Sequence, residues 1–186
     1  CWGVWDKVCQ QLIFMPLFPI ISSELRQRQI GSRPIKKIIP TITSSESKMK
    51  EEELAQAIYD ILDDVYDQSP WSLEQVRADL AQNNTDYFYV YDGPEIVGFL
   101  SIQNLVGQLE VTNLAVKKAH QGQGLAGQLM RELINRPEDI FLEVRVSNIP
   151  AQELYEKFGF SRVAKRKAYY HNPIEDALIM QRAAKK

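Results

Sequence analysis

The sequence predicts a mixed α/β sandwich, and three observations carry that prediction. Helical and strand periodicities alternate in the order helix, helix, three strands, helix, strand, helix, two strands. The first three strands are joined by Asp92-Gly93-Pro94 and by a turn at Gly107, connections too short for a crossover, so they read as an antiparallel meander. A glycine-rich turn, Gln121-Gly122-Gln123-Gly124-Leu125-Ala126, then leads from the strand-like run Leu114-Ala115-Val116 into a helix.

Glu51 to Asp67 sets Leu54, Ile58, Ile61, Leu62 and Val65 on one helical stripe with carboxylates opposite. Pro70 closes the connection. Ser72 caps a second helix, and Gln75 three residues later completes a capping box, with Val76 and Leu80 on the buried side. Tyr87 to Tyr91, Ile96 to Leu105 and Leu109 to Lys117 are the meander strands. Gly124 to Asn135 is a helix that buries Leu125, Leu129, Leu133 and Ile134. Ile140 to Val146 is nearly continuous in apolar residues, which predicts a central strand buried on both faces. Pro150 opens a helix to Lys157, which Gly159 ends. Phe160 to Tyr169 and Ala177 to Arg182 are the last two strands.

The chain has 186 residues, enough for one domain with an appendage. Residues 1–50 carry eight Lys+Arg and three Asp+Glu, whereas residues 51–186 carry 14 and 21. An acidic domain repels nucleic-acid phosphates and attracts a basic peptide, so no direct nucleic-acid partner is expected. Cys1 and Cys9 both precede the domain, which excludes a disulfide framework or a cysteine nucleophile within it. His120 and His171 are too few and too scattered for a metal site, and none is expected. The apolar stretch from Leu12 to Ile21 is about half the length of a membrane span and is interrupted by Pro16 and Pro19. No membrane association is expected, and the expected compartment is the cytoplasm. Residues 1–45 are read as a loosely ordered N-terminal extension, closed by Ser44-Ser45-Glu46-Ser47, and residues 46–186 as the domain.

The glycine turn is where the chemistry starts. Glycines let backbone N–H groups converge on one point, and a helix's first turn adds unsatisfied donors and the positive end of its dipole. The result is a site for a phosphate or pyrophosphate. It is not the Walker loop, because no Lys-Ser/Thr follows the glycines. Gly122, Gly124 and Gly127 fit the dinucleotide spacing, but the preceding meander is not the βαβ unit that fingerprint requires.

In this arrangement Gln121, Gly124 and Ala126 match the Gln/Arg-x-x-Gly-x-Gly/Ala signature, and the chain resembles the GCN5-related N-acetyltransferase (GNAT) superfamily. It resembles most its RimI-type ribosomal-protein-alanine N-acetyltransferase branch. The stretches that carry the likeness are Pro70-Trp71-Ser72, Asn113-Leu114-Ala115-Val116, Leu142-Glu143-Val144-Arg145 with Ser147-Asn148, Leu154-Tyr155-Glu156-Lys157-Phe158-Gly159-Phe160, and Arg166-Lys167-Ala168-Tyr169-Tyr170. They span residues 70–170, and the helical register extends the likeness back to about residue 50; residues 1–45 are not covered. The resemblance implies a mostly antiparallel sheet flanked by helices on both faces. Two departures stand out. Gln121 replaces the commoner arginine, with Lys117 and Lys118 nearby to compensate, and the fold's usual first strand is faint, with only residues 45–50 available for it.

The resemblance also implies acetyl-CoA as co-substrate. Gln121, Gly122, Gln123, Gly124, Leu125 and Ala126 would hold its pyrophosphate. Leu114, Ala115 and Val116 would hold its arm through backbone groups, with a β-bulge opening the cleft there and Asn148 adding its side-chain amide. From the residues alone, Glu143 is either a general base in an apolar strand or a solvent-facing carboxylate paired with Arg145; the resemblance selects the base. Glu110 on the neighbouring strand is the runner-up. His120 is rejected because it precedes the pyrophosphate turn, far from the thioester. Tyr155 would be the general acid. Trp71, Tyr169 and Tyr170 would shape the channel for the peptide's first residues, although Trp71 reads equally well as core packing. The expected reaction moves an acetyl group to the α-amine of an N-terminal alanine, on a basic, small-subunit ribosomal protein. Two alternatives remain: transfer to a small-molecule amine, and a non-catalytic acetyl-CoA sensor. Possession of both Glu143 and Tyr155 argues against the sensor.

Overall fold

The structure, a computed structural model, describes residues 51–66 and 69–184. The N-terminal extension, its linker and the faint first strand at residues 45–50 lie outside the described residues. Helix α1 (Glu51–Val65) and helix α2 (Leu73–Leu80) come first. The α2 capping box forms as expected: the Gln75 N–H donates to Ser72 Oγ at 3.2 Å, and Gln75 Oε1 accepts from the Ser72 N–H at 2.7 Å.

Strands β1 (Thr85–Asp92), β2 (Glu95–Leu105) and β3 (Gln108–Val116) form the meander. A 3-10 turn (Lys118–His120) and helix α3 (Leu125–Arg131) lead to β4 (Asp139–Arg145). Helix α4 (Ile149–Lys157), β5 (Ser161–His171) and β6 (Ile174–Arg182) complete the domain. The last hairpin is longer than the apolar patterning suggested, because its ends are polar and half exposed.

The six strands lie in the order β1-β2-β3-β4-β6-β5, and only β3–β4 is parallel. Helices cover both faces. On one face α1 and α2 pack through Ala55, Ile58, Ile61, Leu62 and Val76 onto Tyr87, Tyr89, Phe99 and Ala115. On the other, α3, the turn that follows it and α4 pack through Leu129, Met130, Leu133 and Tyr155 onto Leu100, Leu109, Ile140, Leu142 and Val144. Ile134, expected in that interface, is 41% exposed, because the regular helix ends at Arg131 and the chain has begun to turn.

The central strand departs from expectation in a way that matters. β4 is not buried on both faces: Ile140, Leu142 and Val144 are buried, while Phe141, Glu143 and Arg145 are only partly covered. The half-open face borders a gap in the sheet. β3 and β4 pair only from Gln108↔Asp139 to Val111↔Leu142. At that point a bulge interrupts β3: Ser101 faces Asn113 and Ile102 faces Val111, so Thr112 is the extra residue. A bulge bends and twists the strand that carries it. Beyond it β3 stays with β2 and parts from β4, leaving a V-shaped opening between Asn113–Val116 and Glu143–Arg145. The expected bulge therefore lies just before Leu114.

Candidate active site

The opening is bordered along one side by a backbone edge without a strand partner. Leu114, Ala115 and Val116 pair with Leu100, Phe99 and Gly98 of β2 on one side only. Their other edge can accept an extended ligand as another strand would.

At the end of that edge lies the glycine turn. Gly122 and Gly124 have φ of +75° and +80°, a region L-residues rarely adopt. A Cβ built on either would meet nothing within 4 Å, so the backbone of the turn is open to a ligand. No side chain caps α3 at Gly124, which leaves its first N–H groups for an outside acceptor. These features fit a pyrophosphate.

Side chains around the turn are more committed than the sequence suggests. Gln121 Nε2 donates to the Val116 carbonyl at 2.9 Å, so this side chain braces the turn against β3 instead of reaching outward. Lys117 is ion-paired with Glu95 and cannot offer a free charge. Lys118 is left to compensate for the missing arginine; its backbone N–H binds Asp64 Oδ2 at 2.6 Å, but its side chain is exposed. His120 Nε2 meets Asp92 Oδ2 at 3.1 Å, a contact between the 3-10 turn and the β1–β2 hairpin.

Across the opening, Asn148 caps α4, its Oδ1 accepting the Ala151 N–H at 3.2 Å. Its amide nitrogen remains as the donor for an arm or peptide. Tyr155, on α4, interacts with Tyr66 and Tyr170. It is buried against Phe160, ring centroids 6.0 Å apart. Burial raises its hydroxyl pKa well above the usual phenol value, with Tyr66 and Tyr170 adding to the shift. Tyr155 therefore keeps its proton throughout the working pH range.

Glu143 sits on the α1/α2 face, its side chain 9% exposed. Its partner is not Arg145. Arg166 Nη1 binds Glu143 Oε1 at 3.0 Å, and the Tyr169 hydroxyl hydrogen-bonds the same carboxylate. Arg145 turns instead to Glu175 at 3.1 Å and to the Asn172 and Pro173 carbonyls at 3.1 and 3.4 Å. Strand order explains the exchange. β6 lies between β4 and β5, and Ala177 is in register with both Arg145 and Arg166. A side chain that ends at Cβ leaves Arg166 a path across β6 to Glu143.

Tyr169 and Tyr170 are consecutive in a strand, yet both rings meet edge to face, centroids 5.1 Å apart. In regular pairing they would point to opposite faces. Here the register slips between Arg166 and Tyr170, and Ala168 takes a φ of +48° with its N–H held by Asp176 Oδ1 at 2.8 Å. The bulge gathers both rings beside two guanidiniums: Arg145 lies 4.1 Å from the Tyr170 centroid and Arg166 4.9 Å from that of Tyr169. Trp71 is half-buried against the α1/α2 cluster.

Two groups gain weight from the structure. Tyr66, just past α1, interacts with Arg145, Tyr155 and Tyr170. Its residue surface is 39% exposed, yet desolvation raises its hydroxyl pKa, with Arg145 pulling the other way. It lies four residues after Leu62 and so continues the α1 stripe, a spacing that could have found it. Glu110, the runner-up, is 6% exposed on β3 beside Glu143.

Residues 55–160 match the Acetyltransferase (GNAT) family. This chain belongs to the GNAT family. It is an N-acetyltransferase with the mixed, mostly antiparallel sheet of that fold. Among its GNAT relatives is the [ribosomal protein bS18]-alanine N-acetyltransferase of Haemophilus ducreyi, 41% identical over 119 residues, which are 60% of this chain and 81% of the relative. The crystal structure of the ribosomal-protein-S18-alanine N-acetyltransferase from Escherichia coli superposes with a TM-score of 0.63 at 28% identity, covering 78% of this chain and 96% of that one. A GNAT acetyltransferase from Elizabethkingia anophelis, solved with acetyl-CoA bound, shares the fold at TM-score 0.52 and 22% identity, over 60% of this chain and 83% of that one. Among the described residues no metal-holding cluster is present, and no helix is long and apolar enough to cross a membrane.

Proposed function

We propose that this GNAT enzyme acetylates the α-amine of a protein's N-terminal alanine, with acetyl-CoA as donor and a basic ribosomal protein as acceptor. The observation that carries this reading is the conjunction at the sheet's opening: a glycine turn with open backbone at one end, and at the other the Glu143 carboxylate held by Arg166 and Tyr169, with Tyr155 buried and interacting with Tyr170. The acceptor assignment rests on the bS18-alanine relatives and on an acidic domain suited to a basic peptide. Localisation in the cytoplasm follows from that acceptor.

Acetyl-CoA, when bound, supplies an acetyl group activated as a thioester. The Gly122–Ala126 turn would hold its phosphates, and the edge of Leu114–Val116 and the Asn148 amide would hold its arm. Tyr66, Tyr169 and Tyr170 wall the channel of the incoming amine, which is mostly protonated near neutrality. Glu143 takes a proton from that nitrogen, directly or through one water. Arg166 and Tyr169 fix the carboxylate for this task. Tyr155 directs its hydroxyl at the departing sulfur. Its raised pKa makes complete transfer to a thiolate uphill, so it acts mainly as a hydrogen-bond donor while charge develops there.

Tyr155→Phe tests that last role, because the ring survives and only the donor is lost. A fall in kcat of about 10–10²-fold is expected, at or below the lower end of the usual acid–base range, with unchanged acetyl-CoA affinity. Unchanged kcat across the pH profile would reduce Tyr155 to a packing residue.

Steady-state comparison of an alanine-starting peptide with polyamine and aminoglycoside acceptors tests the function itself. The peptide should have the highest kcat/KM. A higher value for a small amine would overturn the peptide reading, and acetyl-CoA binding without turnover on any acceptor would mark a sensor.

A further inference from the structure

The bulge in β3 changes more than the direction of the strand. Before it, Leu109 and Val111 pack in the α3/α4 cluster. Regular alternation would carry residues 113 and 115 to the same side. Instead Ala115 packs in the α1/α2 cluster and Val116 in the α3/α4 cluster. The extra residue, Thr112, therefore reverses the facing of the β3 side chains that follow it. It also decides which backbone groups of Leu114, Ala115 and Val116 bond to β2 and which face the opening, because the two sets alternate along an antiparallel edge.

A bulged residue is left out of the backbone ladder, so something else must tie it down. Here side chains do so. Ser101 of β2 is fully buried, and its Oγ lies 2.7 Å from Thr112 Oγ1. On its other side Ser101 is in register with Tyr87 of β1 and hydrogen-bonded to it. The Tyr87 hydroxyl donates to Asp79 Oδ2 on α2, while Asp79 Oδ1 accepts from Gln82 Nε2 at 3.2 Å. Proton counting fixes the direction. The single Tyr87 proton goes to the carboxylate, so Ser101 donates to Tyr87 and accepts from Thr112. Three hydroxyls thus run from the bulge across two strands to a carboxylate held by a helix. Bonds in such a chain polarise one another, and a buried hydroxyl that loses its partner is costly.

We propose that Ser101 and Thr112 are positioning residues for the acetyl-CoA arm: their hydroxyl bond, anchored through Tyr87 to Asp79, ties the bulge to β2 and so sets the edge at Leu114–Val116 that the arm meets. This rests on the acetyl-CoA donor reading above. The pair takes no chemical step and acts through the backbone that follows it.

Thr112→Val and Ser101→Ala each remove the same bond, from β3 and from β2, and Thr112→Ser keeps the hydroxyl. The first readout is calorimetry with two ligands: acetyl-CoA, and 3′-phosphoadenosine 5′-diphosphate, which carries the pyrophosphate but no arm. In Thr112→Val and Ser101→Ala the Kd for acetyl-CoA should rise about 3–10-fold, the range of one hydrogen bond, with the nucleotide's Kd unchanged. Thr112→Ser should bind both ligands as wild type does. The double variant should be no worse than either single one, because only one bond is at stake. Unchanged acetyl-CoA affinity, or an equal loss for the nucleotide, would overturn the proposal. If Thr112→Val does not fold, Ser101→Ala is read in the same way.

The second readout needs no ligand. Backbone amides from Asn113 to Lys117, including the Lys117 N–H that donates to the Val97 carbonyl at 2.8 Å, are followed by hydrogen exchange in the free protein. Exchange should be about 3–10-fold faster in Thr112→Val and Ser101→Ala, and as slow as wild type in Thr112→Ser. Exchange unchanged in both bond-breaking variants would show that the pair does not hold the bulge, and would also overturn the proposal. If wild type binds no acetyl-CoA, the donor reading fails by itself, and the exchange rates still decide what the pair does.

Discussion

Replacing Gly124 with valine is expected to abolish acetyl-CoA binding while the domain still folds. Gly124 has a φ of +80°, and a Cβ there would meet no atom of the protein within 4 Å. The substitution therefore clashes with nothing in the protein, and its cost comes from the left-handed backbone, about 1–3 kcal/mol. That cost lowers the melting temperature without removing the fold. Binding suffers twice: the branched side chain occupies the open space over the turn, and relief of the strain rotates the N–H groups that would bind the phosphates. A loss of at least about 10²-fold in affinity, near 3 kcal/mol, is expected by calorimetry. Normal affinity in a folded Gly124→Val protein would remove the pyrophosphate assignment.

Glu143→Gln should leave acetyl-CoA affinity nearly intact and slow turnover by about 10²–10⁴-fold, the usual range for a positioned base. Glutamine keeps the shape and can still accept from Tyr169 and Arg166, so the tyrosine pair should stay in place. What is lost is the proton acceptor and the negative charge facing the ammonium. The defect should therefore shrink as pH rises and the amine becomes neutral unaided. Near-normal turnover in this variant, combined with an inactive Glu110→Gln, would move the base to β3.

The fold was largely legible because its signals are local. The stripe from Leu54 to Val65, the Ser72–Gln75 box and the Asp92-Gly93 turn each specify their element within a few residues, and all three form. The glycine turn is local as well. The parts that stayed hidden depend on strand order and register. Only the insertion of β6 between β4 and β5, with alanine at position 177, gives Glu143 to Arg166 instead of to Arg145. Tyr169 and Tyr170 share a face because the bulge at Ala168 breaks the strand's alternation, and no propensity announces a left-handed alanine. β4 read as a fully buried strand because its apolar content is high. The sheet's own opening, set by the bulge at Thr112 on a different strand, leaves one face half covered.

The most direct measurement is fragmentation mass spectrometry of peptides beginning with Ala, Ser, Met and Gly after incubation with acetyl-CoA, each peptide carrying an internal lysine. The expected result is a single acetyl group on the α-amine, fastest on the alanine peptide, with none on lysine. Acetylation of the lysine alone, or of no peptide at all, would contradict N-terminal transfer as the function of this site.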